Sequence, residues 1–489
     1  MTGWATQAVF SGLEPAIVWR HFAVLCAIPR ASKEEELLRR HLLSWAEQRG
    51  LVAAVDPVGN LIIPKPACPG KGHLPGVILQ AHLDMVCQNN ADTPHDFSRD
   101  PIRPVRRDGW LVAEGTTLGA DNGVGVALIL AVLEDCSLQH GPIEALLTVD
   151  EEAGMGGARG LAPDVLAGRL MLNLDTEAWG EFYLGCAGGL DVNVRRNGDS
   201  DAVPEGWFSW RIGLRGLRGG HSGIDIHEGR GNAIKLLVRI LRDLENRLPL
   251  RLASLHGGTA RNALPREAVA VVAIPEPAVA ELIAGLAEWE RCLRQELAGV
   301  DAGVVLECSP EPGAVRLLAA REQAVWLASL HASPHGVRCM SRQVPGVVET
   351  SNNLGMVALD SSGGSCTFMI RSLVESGSAA LADEIVSLFA LSGSVAVKAG
   401  HYPGWAPNPD SALLSLCQSV YRREFDGDAR VQVIHAGLEC GIIGAKYPGL
   451  DIVSFGPTIR GAHAPGEAVE IGSVGRCWQL LRAILAAVD

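Results

Sequence analysis

Short apolar runs in the first third of the chain and near its C-terminus predict buried β-strands. They occupy residues 76–81, 143–149, 170–174 and 452–455. Apolar residues also recur at helical spacing, at residues 18–25, 33–49, 124–133, 411–422 and 474–488. Ser32 precedes three glutamates and is expected to be the N-cap of the second helix. Strands that alternate with helices predict an α/β domain, with a mostly parallel sheet covered by helices on both faces.

The pattern changes after residue 186. Apolar and polar side chains alternate at residues 192–196 and 207–214, which is typical of a sheet with one solvent-exposed face. The spacing of amphipathic helices follows at residues 233–248 and 278–296. We therefore expect an α+β lid domain at residues 187–400. Whether it consists of two α+β halves stays open. The segments 1–186 and 401–489 are expected to build the α/β domain together.

Composition and charge narrow the classes of protein. The 489 residues include 47% hydrophobic and 20% charged ones, which is typical of a globular chain with a large core. The formal net charge of -13 disfavours nucleic acid and anionic lipid as partners. The first ten residues lack the pattern of a secretion signal, and no apolar run reaches the roughly 18 to 20 residues of a membrane helix. Twelve cysteines without a C-x-x-C pair indicate reduced residues, so we expect a cytoplasmic protein.

Acidic residues and histidines follow the predicted strands, where open α/β sheets place their active sites. His82 and Asp84 end the first strand, and because they are two residues apart they face the same side of an extended chain. In that position a carboxylate can orient a metal-binding histidine. Asp150, Glu151 and Glu152 follow the next strand and repel one another unless cations compensate their charge. Taken alone, an exposed polar loop explains either motif equally well.

Three further residues complete the pattern. Asp121 lies in a glycine-rich turn before a predicted helix, and this turn matches no phosphate-binding motif. Asp175 ends the third strand, and His463 lies in a turn near the C-terminus, where a lone histidine is common. Two histidines and several carboxylates at successive strand ends, without thiolates, provide ligands for two divalent ions. Zinc suits this set of ligands, and manganese and cobalt are alternatives.

In this order, the motifs resemble those of the M20 metallopeptidase family, over essentially the whole chain. They are H-x-D at His82, A-D-N-G at Asp121, D-E-E-A-G at Glu151, N-L-D at Asp175, G-G-H-S-G at His221 and G-A-H-A-P-G-E at His463. Within the family, the long middle domain and residues 213–223, 261–265 and 435–440 are most similar to the aminoacyl-histidine dipeptidases. The resemblance implies a di-metal aminopeptidase-like catalytic domain with an inserted lid.

The resemblance also implies a role for each site residue. The metal ligands would be His82 and Asp175 on one ion, Glu152 and His463 on the other, and Asp121 as the bridge between them. Asp84 would orient His82. Glu151 would be the general base, which takes a proton from the attacking water and passes it to the leaving amine. The peptide bond after Asp121 would be cis.

In the expected lid domain, the resemblance assigns His221 and Asn262 to substrate binding and to stabilisation of the oxyanion. Arg371 is a candidate partner of the C-terminal carboxylate of a dipeptide, although a surface arginine at a strand end would look the same in the sequence. Glu439 is a candidate partner of the free amino group.

Together these expectations describe a cytosolic metallo-dipeptidase that hydrolyses dipeptides with a free amino terminus, of the Xaa-His type. Its partner would be a small peptide, with no role for nucleic acid or membrane, and a homodimer stays open. The alternatives are an M20-type deacylase of N-acyl amino acids or a carboxypeptidase, a metal-binding relative without activity, and an unrelated cytosolic α/β protein. The presence of all five ligands and of Glu151 disfavours the inactive relative.

Overall fold

The computed structural model describes residues 8–311, 313 and 316–489. Residues 1–7, part of the stretch considered for a secretion signal, lie outside the described residues. By its internal contacts the chain divides into two compact units. Unit 1 comprises the residues up to Cys186, Trp405–Val433 and Leu438–Asp489, and unit 2 comprises Ala187–Gly404 and Ile434–Gly437.

The strands of the described residues are numbered in chain order. They are β1 Ala54–Val55, β2 Leu61–Lys65, β3 Val77–His82, β4 Pro104–Arg107, β5 Trp110–Ala113, β6 Ile143–Thr148, β7 Leu170–Asn173, β8 Glu181–Cys186, β9 Gly188–Asn197, β10 Ser200–Ala202, β11 Trp207–Arg215, β12 Arg251–Gly257, β13 Ala268–Pro275, β14 Val305–Pro310, β15 Arg316–Leu318, β16 Gly336–Met340, β17 Val348–Asp360, β18 Gly363–Ser372, β19 Val395–Tyr402, β20 Arg430–Ile434, β21 Asp451–Ser454, β22 Ile459–Arg460 and β23 Ala468–Glu470.

The α-helices are numbered in the same way. They are α1 Ala16–Ala27, α2 Glu36–Gln48, α3 Ala120–Glu134, α4 Gly156–Gly160, α5 Ala233–Arg247, α6 Val279–Glu296, α7 Ala320–Ala332, α8 Glu375–Leu391, α9 Ala412–Phe425, α10 Glu439–Lys446 and α11 Ile471–Ala487. Short 3₁₀ helices occupy Ile226–Glu228 and Glu276–Ala278. The sequence predicts helices α1, α2, α3, α9 and α11 in unit 1, and the structure contains all five.

Unit 1 is built on an eight-stranded sheet in the order β1-β2-β6-β3-β7-β21-β8-β20. The four apolar runs predicted to be strands form its centre, where β6, β3, β7 and β21 pair in parallel. Towards the edges, β1, β2 and β6 pair antiparallel, as do β21 and β8. The expectation of a mostly parallel sheet therefore holds only for the centre, and the sheet as a whole is mixed. Antiparallel neighbours need no helical crossover, so the alternation of strands and helices did not reveal them.

Helix α3 is the most deeply buried helix of unit 1. Every residue from Asn122 to Leu133 is buried, which explains why its sequence is apolar on all sides rather than amphipathic. It packs against α1 and against the central strand β3. Because α3 begins at the turn that contains Asp121, this packing fixes the position of the turn relative to the sheet.

Unit 2 is built on an antiparallel sheet in the order β14-β11-β13-β12-β17-β18-β9-β19, with β16 paired to β17 as a ninth strand. Strands from the early and late parts of the unit share this sheet, since β12 pairs with β17. Helix α5 packs on it with one apolar face, which includes Ile234, Leu237, Leu241 and Leu244. In the described part of the chain, none of the helices combines the length and the apolar character needed to cross a membrane.

Candidate active site

The carboxyl ends of β3, β6 and β7 meet at one edge of the unit 1 sheet, because neighbouring parallel strands run in the same direction. His82 is the last residue of β3, and Asp175 follows the end of β7 by two residues. Glu152 follows β6, and His463 lies in the turn between β22 and β23. Residues from distant parts of the sequence therefore lie close together at this edge of the sheet.

The imidazoles of His82 and His463 face the two oxygens of one carboxylate, that of Asp121. His82 Nε2 lies 3.3 Å from Asp121 Oδ1 and 3.3 Å from Asp175 Oδ1. His463 Nε2 lies 3.2 Å from Asp121 Oδ2 and 3.0 Å from Glu152 Oε1. Asp121 is thus shared between two sets of ligand atoms, which is the arrangement of a bridging carboxylate.

These side chains fit two divalent cations. Among the described residues, His82, Asp121 and Asp175 form one group of three, and Asp121, Glu152 and His463 form another, with the ligand atoms of each group within 4.8 Å of one another. Each group offers one imidazole and two carboxylates, which suits zinc, manganese or cobalt. A third group, His82, Glu151 and Glu152, brings the expected general base to the same centre.

The electrostatics of the site are those of crowded, buried acids. Burial, reinforced by the charges of Asp175 and Glu152, raises the pKa of Glu151 well above its usual range, although His82 opposes this shift. Burial also raises the pKa of Asp175. Hydrogen bonds to Asp121 and Glu152 raise the pKa of His463 to about 11. Divalent cations would replace the protons that this centre otherwise attracts, since metal binding requires charged carboxylates and neutral imidazoles.

Asp84 links His82 to the segment that contains Glu151. Its carboxylate is fully buried and lies 3.4 Å from His82 Nδ1. It accepts hydrogen bonds from the backbone N–H groups of Glu151, at 3.0 Å, and Glu152, at 3.1 Å. Burial alone would raise the pKa of Asp84, but these interactions and the charge of His82 lower it to about 2. An ionised Asp84 therefore fixes both a candidate ligand and the candidate base.

Ser32 does not cap the second helix as predicted. Helix α2 begins only at Glu36, and its N-cap residue is Glu35. The hydroxyl group of Ser32 instead donates a hydrogen bond of 2.8 Å to Asp84 Oδ2. The prediction was wrong because it considered only hydrogen bonds to nearby residues, whereas Ser32 donates its hydroxyl hydrogen to a residue 52 positions away.

The turn that presents Asp121 is held by Glu467. One oxygen of this buried carboxylate, Oε2, accepts the N–H groups of Leu118, at 2.7 Å, and Gly119, at 2.8 Å. The other, Oε1, accepts the N–H of Asp121 at 3.1 Å. Glu467 follows His463 by four residues, so one short segment supplies a candidate ligand and the support of another. The peptide bond between Asp121 and Asn122 is cis, which confirms the expectation from the resemblance.

Arg30 also holds this turn, although no sequence motif pointed to it. Its guanidinium group is buried and donates to the backbone carbonyls of Leu83, at 3.0 Å, and Asp84, at 2.9 Å, as well as to that of Gly119. Gly119 has a φ of +69°, and a Cβ there would collide with the guanidinium. Arg30 therefore joins the two loops that present His82 and Asp121.

Glu439 is a buried residue whose charge acts on Glu151, and its role as a partner of a substrate amino group stays a prediction. None of its surface is exposed. Its Oε2 accepts hydrogen bonds of 2.6 Å from Gln80 Nε2 and 2.6 Å from Thr148 Oγ1, the side chains of two central strands. Burial raises its pKa to about 7. Glu439 is therefore part of the polar support of the strand ends.

Unit 2 brings together two of its three candidate substrate-binding residues. Arg371 is 3% exposed and is not the surface arginine that the sequence allowed. It donates to Tyr402 Oη at 3.0 Å and to Ser222 Oγ at 3.3 Å, and its Nη2 lies 3.1 Å from His221 Nε2. His221 Nδ1 accepts the backbone N–H groups of Gly223, at 3.2 Å, and Ile224, at 3.0 Å.

The third candidate, Asn262, lies on a neighbouring turn and is exposed. Its backbone carbonyl accepts the N–H of Ser222 at 2.8 Å. The residue after it, Ala263, forms an antiparallel bridge with His221. Asn262 and His221 therefore occupy adjoining turns of one unit.

Comparisons with known proteins agree with the motifs. Residues 78–487 match a family model described as Peptidase family M20/M25/M40. The chain belongs to this family. The resemblance inferred from six short motifs is thereby confirmed, and so is the class of enzyme, a metallopeptidase.

Members of the family include relatives similar to this chain over nearly all of its length. The cytosol non-specific dipeptidase of Escherichia coli (strain K12) is 44% identical over 478 residues, which cover 98% of this chain and 99% of that protein. A crystal structure of aminoacylhistidine dipeptidase from Vibrio alginolyticus is 43% identical, covers 98% of both chains and has a TM-score of 0.87. A tripeptidase from Staphylococcus aureus, 16% identical over 97% of this chain and 99% of that one, has a TM-score of 0.57 and shares the fold alone.

Proposed function

We propose that this M20 peptidase is a cytosolic dipeptidase, which hydrolyses the peptide bond of dipeptides with a free amino terminus, Xaa-His dipeptides among them. The observation on which the proposal depends most is the carboxylate of Asp121, shared between His82 with Asp175 and Glu152 with His463. The two full-length relatives support the choice of substrate, since one is named a cytosol non-specific dipeptidase and the other an aminoacylhistidine dipeptidase.

The proposed metal ligands are the five residues of the two groups, with Zn²⁺ as the favoured ion and Mn²⁺ or Co²⁺ as alternatives. Two bound cations would polarise the scissile carbonyl and increase the acidity of the attacking water. Asp84 keeps the His82 ring oriented, because its carboxylate faces Nδ1 and leaves Nε2 directed at Asp121 and Asp175.

Glu151 is the proposed general base. It belongs to the same buried centre as the ligands, and burial raises its pKa, which makes it a stronger proton acceptor than an exposed glutamate. In the proposed reaction its carboxylate takes a proton from the attacking water. It then gives that proton to the amine that leaves when the peptide bond breaks.

His221, Asn262 and Arg371 are the proposed substrate-binding residues. Because His221 Nδ1 accepts two backbone N–H groups, the proton of the neutral ring resides on Nε2. The guanidinium of Arg371 lies 3.1 Å from this nitrogen, and its positive charge favours an anionic oxygen beside the two side chains. A dipeptide carboxylate or the oxyanion of the reaction has the required charge.

Hydrolysis of a panel of dipeptides by the zinc-loaded enzyme tests this function. The panel pairs free Xaa-His and Xaa-Ala dipeptides with the same compounds acetylated at the amino terminus. Rapid cleavage of the free compounds and slow cleavage of the acetylated ones is the expected result. Preference for the acetylated compounds would instead support an M20-type deacylase or carboxypeptidase. A homodimer stays a prediction, which light scattering of the purified protein tests directly.

A further inference from the structure

We propose that Asn353 is a positioning residue, which keeps Asn262 in its working orientation. The inference rests on the proposed function of Asn262 as a substrate-binding residue. Asn353 lies in β17 and has no exposed surface. It therefore cannot meet a substrate itself, and any influence on catalysis must pass through the residues that it contacts.

The side-chain amide of Asn353 donates hydrogen bonds to the residues immediately before and after Asn262. Asn353 Nδ2 donates to the backbone carbonyl of Arg261 at 2.9 Å and to that of Ala263 at 2.8 Å. The carbonyl of Asn262 itself is held by the N–H of Ser222 at 2.8 Å. The three successive carbonyls are thus anchored to two different elements, which leaves the backbone of Asn262 little freedom to rotate.

The strand also supports this turn through direct backbone contact. The register of β17 with β18 shifts between Leu354 and Met356, so Gly355 lies in a bulge. A Cβ on Gly355 would lie 2.7 Å from the carbonyl oxygen of Arg261, which shows how closely the turn approaches the strand. Asn353 is therefore placed where the strand and the turn are in contact, and its amide donates to two carbonyls of that turn.

The simpler explanation is that Asn353 contributes only to stability. Asn352, the next residue along the strand, provides a matched control for that role. It is 1% exposed, and its Nδ2 donates a hydrogen bond of 2.7 Å to the carbonyl of Pro334, which belongs to a different loop. Loss of Asn352 should therefore weaken the same strand without touching the turn of Asn262.

A double-mutant cycle separates the two explanations. The variants are Asn353→Ala, Asn262→Ala, the double variant and Asn352→Ala, each checked for thermal stability and zinc content. Asn262→Ala is expected to lower kcat by about 100-fold, as for loss of an oxyanion donor. Asn353→Ala is expected to lower kcat by about tenfold or more, with KM changed by less than about threefold. In the double variant kcat should equal that of Asn262→Ala within about threefold, because residues acting as a unit are non-additive.

Hydrogen exchange provides a readout that is independent of turnover. Asn353→Ala should accelerate amide exchange in residues 258–264, whereas Asn352→Ala should not. If Asn353→Ala does not fold, Asn353→Ser, which keeps one donor, is judged by the same criteria.

Three outcomes would overturn the inference. They are an unchanged kcat for the Asn353 variant, an equal loss of kcat for Asn352→Ala, and a loss from Asn353→Ala that is as large in the Asn262→Ala background as in the wild type. A normal kcat for Asn262→Ala alone would instead show that the proposed role of Asn262 is wrong.

Discussion

Replacement of Glu467 by glutamine tests how the bridging carboxylate is held in place. Glu467 accepts three backbone N–H groups of the turn that presents Asp121. A glutamine oxygen in the place of Oε2 would keep the bonds from Leu118 and Gly119. The amide nitrogen would then face the N–H of Asp121, so one accepted hydrogen bond becomes a contact between two donors. The change is nearly isosteric and leaves all five candidate ligands intact.

The expected magnitude follows from that single contact. A hydrogen bond to a charged group contributes roughly 1.5–3 kcal/mol. If the metal-bound position of Asp121 costs that much more free energy in the variant, its zinc affinity falls by roughly 10- to 150-fold. This agrees with the roughly 10- to 100-fold loss that is usual when the support of a metal ligand is removed. Competition between the metal-free protein and a chromophoric zinc chelator measures the affinity directly.

Glu470→Gln is the matched control for this variant. Glu470 lies three residues further along the same segment, is partly exposed, and pairs with Arg476 at 3.2 Å rather than with the turn. Its replacement should leave zinc affinity unchanged. Wild-type zinc affinity in Glu467→Gln, with the fold intact, would show that Glu467 does not hold Asp121 in place for metal binding. An equal loss in Glu470→Gln would show that only the charge of the segment matters.

Three further variants test other parts of the account. Glu151→Gln should keep its metals and its fold but lose nearly all turnover in a dipeptide assay, because an amide cannot accept the proton of water; retention of most of kcat would show that another group is the base. His221→Ala should lower kcat by about 100-fold or more at saturating dipeptide, with unchanged metal content, and a near-normal kcat would end that assignment. Burial lowers the pKa of His435 from 6.5 to about 3. Between those values the unfolded chain binds a proton that the folded chain does not, so stability falls as the pH decreases, by about 2 kcal/mol from pH 6.5 to pH 5. His435→Gln should remove that part of the loss, as measured by urea unfolding at both pH values, and an unaltered pH dependence would contradict it.

The sequence predicted the centre of the unit 1 sheet better than its edges. The central strands are covered on both faces, so their residues form continuous apolar runs, as in β3, where all six residues are buried. The edge strand β1 has only two residues, both exposed, and leaves no such run. Edge pairing depends on contacts between distant segments, as when β20 joins the sheet beside β8.

The candidate ligands were predictable because they lie next to these apolar runs and within recognisable motifs. His82 and Asp175 lie at or just beyond the ends of strands with clear apolar runs, and the family motifs include them. Their supports were not predictable in the same way. Arg30 acts on carbonyls 53 and 54 residues away, and a single arginine outside any motif has no distinguishing pattern. Glu467 was present in the motif at His463, but only the structure shows that it holds the turn of Asp121.

A zinc titration tests whether a two-metal centre in this protein cleaves dipeptides. Protein stripped of metal with a chelator is titrated with Zn²⁺ while the hydrolysis of a free Xaa-His dipeptide is followed. We expect no turnover without metal and a rise in activity that is complete at two equivalents of zinc per chain. Full turnover of the stripped protein, or no turnover at any zinc concentration, would contradict it.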